Sequence, residues 1–229
     1  GVPLAVLLAR RFSDGETASV AVYASGGYRY PQDDRKRLRD ELKRMRAAGY
    51  ERVKIKIGAG SLRDDLLRIE TALEVFTSAC LAVDAMNSFD LHAALAAAEA
   101  LAPYGLWWLE DICDAHDFAT QRIVAERYEG PLAAGEPLFS QREALLLAQY
   151  GGLRADRDIL LFDPAHCYGV THFVEIMATM QKHGWSSNAF WPHGGHLFTL
   201  HVAAAFRLGG AEANPFSFAP FGLKNGDWT

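Results

Sequence analysis

The chain has 229 residues, 50% hydrophobic and 22% charged, a composition typical of a globular protein with ample material for a core. Its formal net charge of −5 and the lack of a basic tract argue against nucleic-acid binding. No apolar run reaches the roughly 18–20 residues of a membrane span, so we expect no membrane association.

The cysteines and the amino terminus indicate the cellular compartment. The apolar run in GVPLAVLLARR lacks a preceding basic region and a small-residue cleavage site, so we do not interpret it as a signal peptide. Cys80, Cys113 and Cys167 are an odd number of cysteines without metal-ligand spacing. We therefore predict a protein of the reducing cytoplasm.

Strand-like and helix-like segments alternate along the whole chain. The eight strand-like segments are residues 20–25, 52–58, 81–85, 106–110, 131–136, 158–163, 185–191 and 212–218. Helical patterns lie between them, at residues 33–49, 62–77, 88–103, 115–128, 140–149, 168–183 and 196–208. Ser61, with Asp64 three residues later, and Ser88 are predicted helix N-caps.

This alternation predicts an α/β fold with a parallel sheet. Eight units without a glycine-rich dinucleotide turn favour a closed (β/α)8-type barrel over a doubly wound sheet. No linker or low-complexity tract divides the chain, so residues 1–229 are predicted to form a single barrel domain. Trp107, Trp108 and Trp185 are expected to pack between the barrel and its helices.

Three carboxylates follow apolar strand-like runs: Asp84 in LAVDAMN, Glu110 in LWWLED and Glu136 in PLAAGEP. Both intervals are 26 residues, about one strand, one helix and two short loops. On neighbouring parallel strands these acids converge at the carboxyl-terminal rim, where barrels carry their chemistry. Clustered carboxylates require a neutralising cation, and an all-oxygen ligand set suits Mg²⁺.

Lys54 and Lys56 lie two residues apart in RVKIKIG, so they share one face of the strand. Val53 and Ile55 would face the helices, which leaves both lysines pointing into the barrel. Mutual repulsion and burial are expected to lower at least one lysine pKa, as a general base requires. The alternative is an edge strand whose lysines are solvated.

The sixth strand-like segment ends in Asp163, and the seventh leads to His193 and His196 in WPHGGH. An aspartate on one strand and a histidine on the next can form a dyad in which the carboxylate orients the imidazole and raises its pKa. The alternative is that each histidine is structural or solvated. Pro192 and two glycines indicate a shaped loop, which favours a binding site.

These motifs resemble the enolase superfamily, specifically its mandelate racemase-like subgroup. KIKIG is similar to that subgroup's K-x-K motif, and Asp163 with a histidine of the seventh strand matches its Asp–His dyad. WPHGGH and LGGAEANP resemble D-tartrate dehydratase-like members. Alignment to the dehydratases selects His193 for the dyad, alignment of GGHLF to the racemases selects His196, and we prefer His193. The three acids match the subgroup's magnesium triad: Asp84, Glu110 and Glu136.

The resemblance implies further features of the fold and site. The barrel would be the modified (β/α)7β form, with Mg²⁺ as cofactor and a small-molecule carboxylate as substrate. Glu212 matches an acid that hydrogen-bonds the substrate carboxylate, and Lys54 and His196 are also predicted to contact substrate. Asn87, just beyond the first metal ligand, is predicted to reach substrate, with a helix-start role as the alternative.

The implied reaction begins with removal of the proton α to a carboxylate by Lys56. The dyad histidine would protonate a departing β-hydroxyl, and the enol would tautomerise to a 2-keto acid. This predicts a lyase, a dehydratase of a sugar acid or of a small hydroxy acid such as tartrate. The alternatives are a racemase or epimerase of a 2-hydroxy acid that uses the same site, and a catalytically silent barrel.

Family members also carry an amino-terminal α+β capping domain whose loops close the site. This chain begins where the lead-in helix of the barrel is expected, so we expect the capping domain to be absent from it. If the chain is a fragment, a capping domain is an expected partner. Family members commonly assemble, which makes a homo-oligomer a possibility that the resemblance raises.

Overall fold

The structure, a computed structural model, describes residues 1–215. The strands in this range are β1 Val22–Gly26, β2 Val53–Lys56, β3 Leu81–Asp84, β4 Trp108–Glu110, β5 Leu132–Ala134, β6 Ile159–Leu160 and β7 Ala211–Ala213. They form one parallel sheet in the order β6-β5-β4-β3-β2-β1-β7. The predicted parallel α/β architecture is thus confirmed.

Helices precede, connect and follow these strands. They are α1 Leu4–Phe12, α2 Asp34–Ala47, α3 Leu62–Leu73, α4 Leu91–Leu101, α5 Phe118–Ala125, α6 Gln141–Tyr150, α7 Val170–Lys182 and α8 Leu197–Phe206. Short 3₁₀ turns lie at Ser78–Cys80, Ala102–Tyr104 and Ser187–Ala189. Among residues 1–215, no helix combines the length and the apolar character that crossing a membrane would require.

The predicted seventh strand, residues 185–191, is wrong as a strand. A 3₁₀ turn occupies part of it, and only Phe190 forms a bridge with Leu160. The backbone nevertheless joins the two edges of the sheet: Trp191 N donates to Leu160 O at 2.8 Å, and Glu212 N donates to Pro192 O at 3.1 Å. His193 N also donates to Leu161 O, at 3.2 Å, but Pro192 has no N–H group to donate towards β7, so a continuous ladder cannot form on that side. An irregular segment therefore closes the barrel.

The eighth predicted strand, residues 212–218, is only partly described. Within the described range it begins one residue earlier, at Ala211, and pairs with β1 so that Tyr23 lies opposite Glu212. The part of the prediction beyond Pro215 lies outside the described residues.

One of the two predicted N-caps is correct. Ser61 forms a capping box with Asp64, whose backbone N–H donates to Ser61 Oγ at 3.2 Å. The Ser88 prediction is wrong: Asp90 caps α4 by accepting from Ala93 N at 2.8 Å. Ser88 Oγ donates to Ala85 O instead, at 2.6 Å, which places it in the turn that precedes the helix.

Side chains of the strands alternate between two apolar layers. Val53 and Ile55 pack in the layer between sheet and helices, as the sequence pattern predicts. A separate cluster fills the barrel interior: Tyr23, Ala82, Trp108, Ala133, Leu161 and Trp191. Trp185 lies in the helix layer as expected, but Trp108 lies in the interior cluster and Trp107 packs against that cluster, which corrects the prediction for both.

Asp158 is a buried acid that ties the start of β6 to β5. Its carboxylate accepts from Leu132 N at 2.9 Å and from Arg154 Nη2 at 2.8 Å, and its exposed fraction is 1%. Removing it leaves the buried Leu132 N–H without its acceptor and the Arg154 guanidinium without its counter-ion. Asp158→Ala should lower the free energy of unfolding by about 3 kcal/mol, measured by urea denaturation.

The matched control for Asp158→Ala is Asp156→Ala, since Asp156 is an exposed acid two residues earlier. That change should stay within about 0.5 kcal/mol of the parent. Equal effects of the two substitutions would contradict a structural role for the Asp158 contacts.

Candidate active site

The strand register brings charged side chains to one level of the barrel. Lys56 on β2 lies opposite Asp84 on β3, and Asp84 lies opposite Glu110 on β4. Each of these residues ends its strand, so their side chains meet at the carboxyl-terminal rim. The parallel sheet therefore assembles a lysine and two predicted metal ligands from residues that are far apart in sequence.

Lys54 is fully buried in the barrel interior. Its ammonium group contacts the Glu110 carboxylate and lies 3.1 Å from Glu212 Oε2. Tyr23 Oη also donates to Glu212 Oε2 at 3.1 Å, and Trp108 Nε1 donates to Glu110 Oε2 at 2.8 Å. The two acids are thus held by one ammonium group and by two aromatic donors of the interior cluster.

The expectation that a lysine pKa falls is wrong for this arrangement. Burial alone lowers the pKa of Lys54, but the negative charges of Glu110 and Glu212 outweigh it and hold that pKa well above its usual value. Burial and the charge of Lys54 likewise act to lower the pKa of Lys56. The negative charges of Asp84, which contacts the Lys56 ammonium group, and of Glu110 and Glu212 together outweigh them and raise that pKa. Both lysines are counter-ions of the acids here.

Asp111 is a site residue that the sequence reasoning missed. Ligand oxygens of Asp84, Glu110 and Asp111 all lie within 4.8 Å of one another. Consecutive residues of an extended strand point to opposite faces, so Asp111 was not expected beside Glu110. A left-handed backbone at Asp111, with φ of 47°, returns it to the acids, and Asn87 Nδ2 donates to its Oδ2 at 3.2 Å.

Crowding and burial favour protonation of two of these acids, Glu110 and Asp111. Burial also acts to raise the pKa of Asp84, but Lys56 and Lys54 hold it below its usual value. Burial raises the pKa of Glu110 to about 7, although Lys54 opposes the shift. Burial, together with Asp84 and Glu110, holds the pKa of Asp111 well above its usual value. A divalent cation favours the ionised form of carboxylates, so an all-oxygen group with these pKa values fits a hard cation such as Mg²⁺.

Glu136, the third predicted metal ligand, lies on the wall of the same cavity. Its Oε1 is 3.3 Å from His193 Nε2, whereas the close group of acids is completed by Asp111. The role of Glu136 as a metal ligand therefore stays a prediction.

The predicted dyad residues lie beside each other. His193 Nδ1 is 3.1 Å from Asp163 Oδ2, and His196 Nε2 is 3.7 Å from Asp163 Oδ1. Burial acts to raise the pKa of Asp163, but the hydrogen bond from His193 and the nearby His196 hold it well below its usual value. Burial acts to lower the pKa of His193, and its bond to Asp163 raises it overall.

The two histidines differ in their second contacts. His196 is the N-cap of α8, where its Nδ1 accepts from Thr199 N at 3.3 Å. His193 faces Glu136 and lines the cavity. These contacts favour His193 for the dyad, in line with the preferred alignment, and the role itself stays a prediction.

A cavity of about 310 Å³ joins these groups. Its wall consists of Tyr28, Lys56, Asp84, Met86, Asn87, Asp111, Glu136, His193, Gly194, Glu212 and Asn214. The predicted residues Lys54 and Asp163 are buried next to this wall, in contact with Glu212 and His193 respectively. The predicted catalytic, metal and substrate residues thus lie around one pocket at the carboxyl-terminal rim.

Known proteins are similar to this chain in sequence and in architecture. Arabinonate dehydratase of Saccharolobus solfataricus is 28% identical over 194 residues, which are 83% of this chain and 51% of that protein. The 3,6-anhydro-alpha-L-galactonate cycloisomerase of Streptomyces coelicolor is 28% identical over 188 residues, which are 81% of this chain and 49% of that protein. The chain therefore spans about half the length of these curated relatives.

A solved structure has the same barrel. The L-talarate/galactarate dehydratase of Salmonella typhimurium, liganded with Mg and L-lyxarohydroxamate, superimposes with a TM-score of 0.78 at 26% identity, covering 93% of this chain and 51% of that one. Residues 37–220 match the enolase C-terminal domain-like family. The chain belongs to this family, as its mandelate racemase-like motifs predict.

Proposed function

We propose that this protein is a Mg²⁺-dependent dehydratase of a sugar acid or small hydroxy acid. It would remove the proton α to the substrate carboxylate and eliminate the β-hydroxyl, which yields a 2-keto acid. One observation carries the proposal: Lys56 and His193 line the same cavity. Lys56 lies next to Asp84, and His193 lies next to Asp163. The dehydratases among the similar proteins support the same reaction class.

Asp84, Glu110 and Glu136 are the proposed Mg²⁺ ligands, with Asp111 beside the first two. Their oxygen donors and the raised pKa of Glu110 fit a hard divalent cation. When bound, Mg²⁺ would supply the positive charge that stabilises the enediolate formed by loss of the α proton. The Mg reported in the talarate/galactarate dehydratase structure supports this choice.

Lys56 is the proposed general base. It holds its proton while Asp84 is its counter-ion, so neutralisation of the acids lowers its pKa towards the range of a base. Lys54 is two residues away on the same strand face, and its charge acts in the same direction. Lys54 is fully buried behind the cavity wall, between Glu110 and Glu212, so its predicted contact with the substrate carboxylate stays a prediction.

His193 is the proposed general acid. Asp163 orients its imidazole through Nδ1, so Nε2 is the nitrogen directed at the cavity groups, 3.3 Å from Glu136. Protonated His193 would donate to the departing β-hydroxyl, which leaves as water, and the enol then tautomerises. Asn87 and Glu212, on the cavity wall, and His196 are proposed substrate contacts.

An isomerase is the second candidate, because a cycloisomerase is as similar to this chain as the dehydratases are. The two groups that would eliminate water can also move a proton between the faces of an enediolate. The two reactions differ in the fate of the β-hydroxyl, which a dehydratase eliminates and an isomerase of this kind retains.

The proposal is tested by incubating the protein with Mg²⁺ and a library of sugar acids and tartrates. We expect 2-keto acid formation from at least one acid, and its loss on addition of EDTA. Uptake of deuterium from D₂O at the α carbon without keto acid would indicate the isomerase. Neither product nor deuterium uptake from any acid would contradict both candidates and indicate a silent barrel.

The acids should titrate in a way that reports metal binding. In the metal-free protein, ¹³C NMR of labelled glutamates should show one carboxyl group with a midpoint near pH 7, absent in Glu110→Gln. Mg²⁺ should lower this midpoint, because a cation favours the ionised carboxylate. Glu212, whose pKa Lys54 and His193 hold at about 2 against the effect of burial, is the internal control without titration above pH 5.

The same shift predicts a pH dependence of stability. Because the pKa of Glu110 is raised from the ordinary 4.5, the metal-free folded protein should lose stability as pH rises from about 4.5 to about 7. Saturating Mg²⁺ should remove this loss. A Glu110 midpoint near 4.5 that Mg²⁺ leaves unchanged would contradict its assignment as a ligand.

The two proposed proton-transfer groups should separate exchange from elimination. Lys56→Ala should reduce α-proton exchange in D₂O at least about 100-fold, since it removes the base. His193→Asn should retain exchange but reduce keto-acid formation by a similar factor, because the β-hydroxyl loses its proton donor. If His196→Asn gives this pattern and His193→Asn does not, the dyad assignment is wrong.

A further inference from the structure

We propose that Asp163, His166 and His193 form a second metal site, which takes a transition ion such as Zn²⁺. The Zn²⁺ ion would bind the dyad itself and thereby remove His193 from proton transfer. Binding is independent of the proposed dehydratase activity, whereas the inhibition that follows from it rests on that activity.

Ligand atoms of these three residues lie within 4.8 Å of one another. His193 Nδ1 is 3.1 Å and His166 Nε2 is 3.9 Å from the same oxygen, Asp163 Oδ2. Bonds of ~2.0–2.1 Å in a tetrahedral Zn²⁺ site place ligand atoms about 3.3 Å apart. The observed separations therefore require only small rotations of the imidazoles to enclose an ion.

The types of ligand atom distinguish this site from the cluster of Asp84, Glu110 and Asp111. Imidazole nitrogens with one carboxylate suit Zn²⁺, whereas carboxylates alone suit Mg²⁺. His196 Nε2, 3.7 Å from Asp163 Oδ1, is a candidate fourth ligand, and a water molecule is the alternative. The two groups of residues would thus select different ions in the same cavity region.

Neighbouring contacts fit a metal site as well. Glu136 Oε1 lies 3.3 Å from His193 Nε2, the nitrogen left free when Nδ1 binds metal, and such carboxylate–histidine pairs orient metal ligands. Asp163 is held by Ala165 N, which donates to Oδ1 at 2.7 Å. The His166 side chain is 44% exposed, which provides an entry path for the ion and freedom to rotate.

Ring packing is the competing explanation for the position of His166. Its ring centroid lies 5.4 Å from that of Phe139 and 5.5 Å from that of His193. Packing alone predicts that His166 contributes nothing to metal affinity. A variant at this position therefore separates the two explanations.

Coordination would alter the dyad directly. His193 Nδ1 faces Asp163, and metal binding would replace that hydrogen bond and release the Nδ1 proton. His193 would then be a neutral imidazole bound through Nδ1, and its Nε2–H would be a far weaker acid than that of the imidazolium, so it could no longer protonate the leaving group. Occupancy of this site and acid catalysis by His193 exclude each other.

The test uses the purified protein in saturating Mg²⁺, with Co²⁺ and Zn²⁺ as probes. We expect Co²⁺ to develop visible absorption typical of a tetrahedral site and Zn²⁺ to displace it at one equivalent. His166→Ala should weaken Zn²⁺ binding at least about tenfold, because even the loss of a residue that only hydrogen-bonds a metal ligand has an effect of that size. The matched control is His183→Ala, an exposed histidine just after α7, which should bind as the parent does.

Three outcomes would overturn the proposal: no tetrahedral Co²⁺ absorption, equal Zn²⁺ affinity in the parent and His166→Ala, or loss of Zn²⁺ binding in Glu110→Gln. The last would place the ion in the cluster of Asp84, Glu110 and Asp111 instead. Because His166 is half-exposed, its variant should fold, and a melting curve checks this.

Inhibition is the second measurement. Zn²⁺ should inhibit keto-acid formation in saturating Mg²⁺, and His166→Ala should require at least about tenfold more Zn²⁺ for the same effect. Inhibition at equal Zn²⁺ concentrations in both proteins would overturn the inhibitory part. If no acid is dehydrated, the binding measurements still decide the metal site, so failure of the proposed function is distinguishable from failure of this inference.

Discussion

The buried ammonium group of Lys54 is the interaction on which the rest of this structure depends. It lies inside the barrel against Glu110 and Glu212, and all three side chains are too buried for water to solvate their charges. Removing one partner leaves a buried charge on the others, so the strands that carry them are held in one register. The aromatic interior, through Tyr23 and Trp108, donates to the same two acids. Core packing and site electrostatics are therefore one network.

This network has two ways to neutralise its acids. In the structure the two lysines neutralise the acids, which keeps the pKa of Lys56 above its usual value, while burial raises the pKa of Glu110 to about 7. A cation at the acids would take over the neutralisation, so that a carboxylate loses its proton and a lysine becomes a better base. The proposed chemistry thus depends on exchange of counter-ions, which a lysine pair without acids could not provide.

Backbone turns beyond the strands complete the site on both sides. The left-handed conformations of Asn87 and Asp111 bring a further acid beside the two strand-end carboxylates. On the other side, the turn after Asp163 returns His166 to the dyad, and the segment that closes the barrel brings in His193. Hard oxygen donors and softer imidazole donors therefore collect at separate parts of one rim, which is the basis for the two proposed metal sites.

The sequence by itself determined the barrel architecture, the inward face of Lys54 and Lys56, and the meeting of Asp84 with Glu110, because a strand has a period of two and parallel strands end at one rim. Only the tertiary structure decided the features that depend on distances between separate segments of the chain. It brought Asp111 back to the acids and replaced a predicted strand by a bridging segment around Pro192. It also reversed the expected lysine pKa shift. The pKa of a buried group depends on all the charges around it in space, and not only on the other lysine of its own strand.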